Sequence, residues 1–452
     1  MNSNIENRKI PEMKYIVEKT EETDRVTQFL KIFAAILQET NYRPALEQFI
    51  KVSAKCAKCT TTCHVFENTN DVRDIPCYRS ELLLSVYRRY FSLEGSLYAR
   101  LFGGFELTDE HISKMQYSFW NCTACRKCVL ECPSGIDHGL LTHLARYILA
   151  EMNLTPRALV ISTSEQLHGE TGNTSAIPFI ALKDSLEFLE EELQEMFGKE
   201  IKFPIDVEGA EYLFFAPVSD YLMEAETLMG IAAVLNAAGV SWTISSKYYD
   251  AINYGLFYSD LVLERVLGKI EEEYHRLKAK KVLIGECGHA TRSATFLKSF
   301  WKNGEAPELV NILQLTHKLL MEGKIKFDPR KVTEKVTYHD PCNISRQGWI
   351  IKEPREILHA FCKNYVEMTP SGEENYCCGG GGGTVSIDEI RKYRTLVSGQ
   401  KKAEQIRKTG AHYIVAPCAN CKKQIRETME DNNVDGELLG LHDLILKAII
   451  IE

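Results

Sequence analysis

The chain lacks any apolar run approaching the roughly 18 residues a transmembrane helix needs. Stretches such as Phe33–Leu37 are far shorter. Its first residues are polar and charged, so no secretory signal is expected. Positive charge is not in excess: 54 Lys and Arg stand against 62 Asp and Glu, a net charge of −8. A general nucleic-acid binder needs a basic surface, so no nucleic-acid partner is expected. No flavin or dinucleotide fingerprint occurs, so electrons for any redox chemistry must come from a partner. The glycine run Gly379–Gly383 is not followed by the Lys-Ser/Thr of a phosphate-binding loop. What remains is an ordinary soluble composition, 44% hydrophobic and 26% charged over 452 residues. That length accommodates two or three domains with their own cores.

Cysteine is abundant, with 15 residues. Secreted disulfide scaffolds are small because they cannot build a core, and this chain can. The cysteines fall in clusters: Cys56, Cys59, Cys63, Cys77; Cys122, Cys125, Cys128, Cys132; and Cys342, Cys377, Cys378, Cys418, Cys421. Cys287 and Cys362 stand apart. Short Cys-x2-Cys spacings crowd thiolates into a small volume, which suits metal in a reducing compartment.

Periodicity divides the chain into a helical N-terminal extension (1–50), a cysteine-bearing helical domain (51–160), a linker and helix (161–208) and two α/β lobes (209–330 and 331–452). The first dozen residues are expected to be mobile. Arg79–Tyr98, Leu140–Met152, Ser185–Phe197, Glu224–Ala238 and Ile387–Thr409 read as helices, and Ser162–Pro178 as linker. Tyr212–Phe215, Lys281–Ile284, Val336–Tyr338 and Tyr413–Val415 read as buried strands. Their alternation with helices argues for a largely parallel sheet. Three anchors recur in the same order. Phe215-Ala216-Pro217-Val218 matches His339-Asp340-Pro341-Cys342, and Asn253-Tyr254-Gly255 matches the segment from Asn375. Val282 to His289 matches Ile414 to Cys421. The repeat predicts two related lobes, with Cys287 opposite Cys418.

Cys122-x2-Cys125-x2-Cys128-x3-Cys132-Pro133 is the bacterial ferredoxin run. Three thiolates of one loop bind a [4Fe–4S] cube, and the fourth reaches a second cube. A structural zinc site is the alternative, although zinc more often pairs two separated knuckles. Cys56-x2-Cys59-x3-Cys63 is a partial copy whose first ligand would fall at Ser53. Cys77 is the natural replacement, unless it is a buried thiol. The preferred assignment crosses over: Cys122, Cys125 and Cys128 with Cys63, and Cys56, Cys59 and Cys77 with Cys132.

The C-terminal pattern differs. Five thiolates exceed what one cube needs, and glycines after Cys377-Cys378 let backbone approach a bulky inorganic group. Here the sequence resembles the heterodisulfide reductase family, most nearly its HdrD-like iron–sulfur subunits of the DsrK type and their relatives in the Tmc and Hme complexes. The resemblance rests on Asn253-Tyr254-Gly255-Leu256-Phe257, Gly285-Glu286-Cys287-Gly288-His289, Tyr338-His339-Asp340-Pro341-Cys342-Asn343 and Cys377-Cys378-Gly379-Gly380-Gly381. It covers nearly the whole chain from about residue 50. It implies an α-helical ferredoxin-like domain with two cubane clusters, then a degenerate and a full cysteine-rich lobe.

The resemblance further implies a noncubane [4Fe–4S] cluster on Cys342, Cys377, Cys378, Cys418 and Cys421. Its implied substrate is a disulfide or trisulfide, borne by a small carrier protein or a thiol coenzyme. The nearly cysteine-free first lobe departs from a doubled arrangement, and no second noncubane cluster is expected. With no span of its own, the chain is expected to be cytoplasmic, peripheral on the inner face of the cell membrane. Its expected partner is an integral membrane quinone or haem b subunit.

Cleaving an S–S bond consumes two electrons and two protons, while a cube ordinarily supplies one electron. His339 and His289 are candidate proton donors; the other reading of each is a structural histidine bonding a loop. Cys287 is open between an extra ligand or substrate-pairing thiol, a buried small hydrophobe and a redox sensor. Cys362 reads as core. Trp120 and Trp349 flank cluster loops, as shields or as ordinary packing. Three functions compete: a disulfide or trisulfide reductase, an electron relay in a lactate-, glycolate- or glycerol-3-phosphate-type dehydrogenase complex, and a structural zinc protein.

Overall fold

A computed structural model describes residues 24–452, and the expectation for the first dozen residues lies outside this range. The chain forms two compact units. Among the described residues, the first comprises 24–164, together with 254–262 and 381–388; the second holds the remainder.

The first unit is helical. Its elements are α1 (Arg25–Glu39), α2 (Tyr42–Val52), α3 (His64–Thr69), α4 (Pro76–Tyr90), α5 (Leu93–Phe102), α6 (Asp109–Trp120), α7 (Lys127–Leu130) and α8 (His138–Glu151). α9 (Arg157–His168) runs through the boundary into the second unit. The apolar stripe read from the sequence, Phe29, Ile32, Phe33, Ile36 and Leu37, is the buried face of α1. Asp24 caps that helix by accepting from Val26 and Thr27 N–H.

The single helix expected over Arg79–Tyr98 is two helices. Ser92 Oγ donates to the Arg88 carbonyl at 2.7 Å and accepts from Gly95 N–H at 3.1 Å, ending α4 and starting α5. A Cβ on Gly95 would sit 2.0 Å from the Arg88 carbonyl oxygen, so this corner accepts only glycine. The linker expected over Ser162–Pro178 is helical to His168.

The second unit carries two four-stranded parallel sheets of identical topology. β1 (Tyr212–Phe215), β2 (Trp242–Ile244), β3 (Lys281–Ile284) and β4 (Glu308–Asn311) lie in the order β2-β1-β3-β4. β5 (Val336–Tyr338), β6 (Tyr365–Glu367), β7 (Tyr413–Val415) and β8 (Glu437–Leu439) repeat it as β6-β5-β7-β8. The matching register, Phe214 with Leu283 and Tyr338 with Val415, aligns the anchors found in the sequence. The region is therefore α/β with two related lobes, following a helical domain.

Next in chain order come α10 (Phe179–Phe197) and α11 (Ala225–Ala237) of the second unit, α12 (Gly255–Tyr258) of the first, α13 (Asp260–Leu277), whose first residues belong to the first unit, and α14 (Gly288–Ala294), α15 (Leu297–Phe300) and α16 (Ile312–Met321) of the second. The second lobe adds α17 (Cys342–Gly348), α18 (Lys352–Phe361), α19 (Arg391–Tyr393), α20 (Gln400–Thr409), α21 (Ala419–Asp431) and α22 (Leu441–Ala448). α11 packs on α22 and α16 on α18, each pairing one lobe with the other. Since α11 corresponds to α18 and α16 to α22, the two contacts are equivalent across a pseudo-dyad. One core of Leu, Ile, Val and Phe side chains spans both lobes.

The continuous helix expected over Ile387–Thr409 is interrupted by a π-turn at Arg394–Ser398. Gly379, at φ +102°, packs against the backbone of that turn: a Cβ there would be 2.9 Å from Gly399 N and 3.1 Å from the Arg394 carbonyl oxygen. The wide turn is thus a close-approach surface for the Cys377-Cys378 loop, a recurrent use of π-bulges at functional sites.

Two segments within the lobe ranges, 254–262 and 381–388, pack with the helical unit. α12 lies on α8. Asp260 accepts from His143 Nε2 at 2.9 Å and Tyr42 Oη at 2.8 Å, and the Tyr254 and Ser386 hydroxyls bond at 2.7 Å. Arg146, fully buried, donates to the carbonyls of Phe119 (2.8 Å), Cys122 (2.6 Å) and Gly382 (2.8 Å). Its guanidinium also lies over the Trp120 ring, 4.6 Å from the centroid. One side chain thereby satisfies carbonyls of both cysteine-loop backbone and glycine-run backbone. Arg146→Met should destabilise the protein by about 2–4 kcal/mol, because charged donors to several buried carbonyls are removed at once. A denaturant-unfolding midpoint unchanged from wild type would refute that role.

Candidate metal centres

In the first unit, the two copies of the cysteine run fold alike. Ala57, between Cys56 and Cys59, has φ 56°, and Arg126, between Cys125 and Cys128, has φ 61°. Each left-handed residue precedes a short helical turn, at Lys58 and Lys127. Left-handed non-glycine residues cost about 1 kcal/mol or more each. Their recurrence at equivalent positions marks a backbone held to a demanding loop shape.

The fourth cysteine of each run lies near thiols of the other run. Cys63, at the N-terminus of α3, lies within electrostatic reach of Cys122, Cys125 and Cys128. Burial pushes its thiol up to about 12, with the cation of Arg79 opposing. Cys56, Cys59, Cys77 and Cys132 line a second cavity with Pro133, Ile136 and His138. Cys77 is the second residue of α4, behind Pro76 at the first position. The hydrogen bond Cys77 receives from Cys59 lowers it to about 6. Backbone N–H groups aim at the sulfurs: Ala124 at Cys122 and Ile136 at Cys132, both at 3.4 Å. Such bonds stabilise thiolate and tune an iron–sulfur centre.

In the second unit the sulfurs gather at the carboxyl ends of β5 and β7, where parallel sheets bind ligands. β5 runs into His339, and Cys342 is the first residue of α17. β7 runs into Cys418, the residue that starts α21. Cys378 is hydrogen-bonded with Cys377 and Cys421, and Cys418 with Cys421 and Cys287; these bonds hold Cys378 and Cys418 well below the usual thiol range. Gly379 and Gly380 N–H point at Cys377 and Cys378 at 3.4 and 3.5 Å. Cys287 lies at the N-terminus of α14 and accepts from Ala290 N–H at 3.4 Å. Cys287 is fully buried and hydrogen-bonded with Cys418.

The side chain of His339 completes the cluster, its ring within 4.8 Å of the Cys378 and Cys421 sulfurs. Lys402 Nζ donates to Asn375 Oδ1 at 2.8 Å, which fixes that amide. Asn375 Nδ2 therefore donates to His339 Nδ1, at 3.3 Å, and the ring proton sits on Nε2. His339 Nε2 is buried without a protein partner. Burial holds the imidazole well below its ordinary value, so it is neutral and donates as Nε2–H. This orphaned donor among thiolates fits an inorganic sulfur-rich group, as does the all-thiolate donor set. None of the fifteen cysteines forms a disulfide.

A cysteine-rich domain family matches residues 336–426, and a 4Fe–4S dicluster domain family matches residues 54–136. An Hdr-like menaquinol oxidoreductase iron–sulfur subunit of Archaeoglobus profundus is 27% identical over 90% of this chain and 80% of its own. The matching component of the dihydromethanophenazine:CoB–CoM heterodisulfide reductase of Methanosarcina barkeri is 22% identical over 87% of this chain and 93% of its own. The EtfAB:quinone oxidoreductase of Syntrophomonas wolfei is 23% identical over 69% of this chain and 43% of its own. Over most of its length the chain is thus similar to Hdr-like and HdrD iron–sulfur subunits. With these domains it is an iron–sulfur protein whose homologues are oxidoreductases.

His289 faces its repeat partner rather than the sulfurs. Its Nε2–H donates to the Asn253 carbonyl at 2.8 Å, and Nδ1 accepts from Asn420 at 3.1 Å. Burial lowers it to about 4. Both nitrogens are engaged, which is the geometry of a structural histidine. Cys362 is buried in the core shared by the lobes. Trp120 is buried and Trp349 is 61% exposed, so Trp349 shields nothing by its own burial.

Sequence reasoning passed over Asn375 as a positioning group, Lys402 on α20 and Arg346. Lys402 is fully buried, lowered to about 7 by that burial. Arg346 donates to the carbonyls of Glu373, at 2.7 Å, and Asn375, fixing the loop before Cys377. The doubled Asn253/Asn375 anchor was the available signal for the first; nothing marked the other two.

Cys77→Ala is expected to lose the iron of one cube, about four of roughly twelve atoms. Cys362→Ala should keep all of it and lose about 1 kcal/mol of stability. Iron per chain by plasma emission separates these outcomes; equal iron in both variants would remove Cys77 from the ligand set.

Proposed function

We propose that the chain is the catalytic iron–sulfur subunit of a membrane-associated electron-transfer complex that reduces a disulfide or trisulfide. Cys122, Cys125, Cys128 and Cys63 would hold one cubane [4Fe–4S] cluster and Cys56, Cys59, Cys77 and Cys132 a second, which would supply electrons one at a time. Cys342, Cys377, Cys378, Cys418 and Cys421 would hold a noncubane [4Fe–4S] cluster as the site where the electrons are used. The observation that carries this reading is the buried gathering of Cys377, Cys378, Cys418 and Cys421 with the Nε2–H of His339 and a further thiol, Cys287.

When bound, the cluster supplies electrons and Lewis acidity to sulfur. The balance is R–S–S–R′ + 2 e⁻ + 2 H⁺ → RSH + R′SH. His339 offers a neutral N–H to developing thiolate, and Asn375 holds that tautomer. Cys287 offers a thiol beside Cys418, positioned for pairing with a substrate sulfur. The names of the relatives, menaquinol oxidoreductase and heterodisulfide reductase, fit a quinol donor and a disulfide acceptor. The donor in this reading is an integral membrane quinone or haem b subunit. The acceptor is a small disulfide- or trisulfide-bearing protein or a thiol coenzyme. Among the described residues no helix is long and apolar enough to cross a membrane; in this reading the subunit is peripheral, on the inner face.

A second reading, an electron relay in a dehydrogenase complex, is favoured by burial. Cys342 is 8% exposed, and the other four candidate ligands are less so. Electron paramagnetic resonance of the oxidised protein, titrated with small disulfides and with trisulfide-bearing protein, separates the two. A substrate-induced paramagnetic signal, absent in Cys378→Ala, is expected of the reductase. A cluster indifferent to every disulfide and trisulfide would leave the relay.

A further inference from the structure

α5 is unlike every other long helix of the first unit: none of its residues is buried. Leu93 is 93% exposed, Leu97 60%, Tyr98 63%, Leu101 67% and Phe102 74%. Spaced i, i+4, i+5, i+8 and i+9, they share one side of the helix. Gly95, fitted against the Arg88 carbonyl, and the Ser92 cap fix the opposite side to α4. The patch is therefore rigidly presented. At roughly 150–250 Å² per large side chain it exposes on the order of 600 Å². That exceeds what monomers usually leave bare and approaches the about 800 Å² one partner contributes to a standard interface.

The charge around the patch chooses the occupant. Along α5 and the loop after it, Glu94 and Glu106 are exposed against the single base Arg100; Asp109 and Glu110, at the start of α6, are exposed too but pair with Arg25 at 4.0 Å and Lys114 at 2.8 Å. Glu94 lies within the apolar face itself. An anionic bilayer surface would repel this rim. A membrane protein whose inner loops carry the usual excess of Lys and Arg would attract it, while its apolar flank receives the leucines and aromatics. We infer that α5 is the docking helix through which this chain binds the basic, inward-facing surface of a multi-span membrane protein. The inference rests on the subunit reading above and adds to it the face used.

The test places a photo-crosslinker, Tyr98→p-benzoylphenylalanine, in the full chain within membranes of its native host, with adducts identified by mass spectrometry. A covalent adduct to a multi-span protein with basic inner loops is expected. An adduct to lipid or to a second copy of the chain would overturn the assignment. In parallel, the membrane-bound fraction of L97E/L101E should fall by at least about tenfold at unchanged iron content. Should that variant lose iron, the crosslink decides alone. Vesicles of phosphatidylethanolamine and phosphatidylglycerol should bind neither form; flotation of the wild type with them would show lipid as the occupant. A chain found on native membranes but insensitive to L97E/L101E would sink this face and spare the subunit reading. A chain never recovered with membranes would sink both.

Discussion

Thiolates repel one another, and a cluster of them underneath a protein surface is a concentration of negative charge that water no longer screens. The fold meets this constraint with backbone rather than with bases. Cys63, Cys287 and Cys418 sit at the capping positions of helices, Cys342 at a first helical residue and Cys77 at a second. Helix N-termini bring partial positive charge and unpaired N–H groups to bear on sulfur. The loop glycines add N–H donors of their own. Apart from Lys422, which has Asp220 and Glu224 beside it, the buried side-chain cations nearby are Arg79 and Arg146 at the first group and Lys402 at the second. Their pairing partners are carbonyls and amides, which hold them without neutralising them.

Each unit is built on a duplication that has become unequal. In the first, the run at Cys56 retains three of four thiols, Ser53 stands where Cys122 has its counterpart, and Cys77 fills the gap from a different helix. In the second, Val218 stands opposite Cys342 and Ala290 opposite Cys421, leaving Cys287 as the surviving thiol of the first lobe. Positions related by the repeat still meet: Cys287 touches Cys418, and His289 bonds Asn420. The degenerate lobe is thus a wall of the sulfur site as well as a scaffold.

The four strands read from apolar runs are those with a neighbour on each side, β1, β3, β5 and β7. Burial on both faces makes such strands continuous in hydrophobicity. The edge strands β2, β4, β6 and β8 are three or four residues long and partly polar, as in Glu308–Asn311, and carry too little pattern to stand out. Spacing within a run encodes loop geometry, and Cys63 and Cys132 each lie near thiols of the other run. The packing of 254–262 and 381–388 with the helical unit was not legible in the sequence. It depends on single side chains, buried Arg146 reaching the Gly382 carbonyl and half-buried Asp260 reaching His143 and Tyr42, each more than a hundred residues away. The neutrality of both histidines was equally hidden, since burial rather than residue type sets it.

That neutrality bears on how protons reach the sulfurs. A histidine held neutral cannot carry a stored proton to a leaving thiolate and then wait for another. It can orient one, through Nε2–H, while the proton is replaced from elsewhere. Behind the sulfurs lies a buried set of ionisable groups: Lys422 next to Cys421, with Asp220 at 3.8 Å and Glu224 at 3.6 Å, and Glu286 next to Cys287, bonded to His442. Glu224 continues to Arg426, whose side chain is 44% exposed. Lys422 and Glu286 each adjoin a sulfur in sequence, one from each lobe, and meet around Thr227 and Asp443. Retaining so many charges in a core is costly unless each is compensated. Here compensation joins the two lobes across the pseudo-dyad, so the network that steadies the sulfur site also fixes the lobe–lobe geometry on which that site depends.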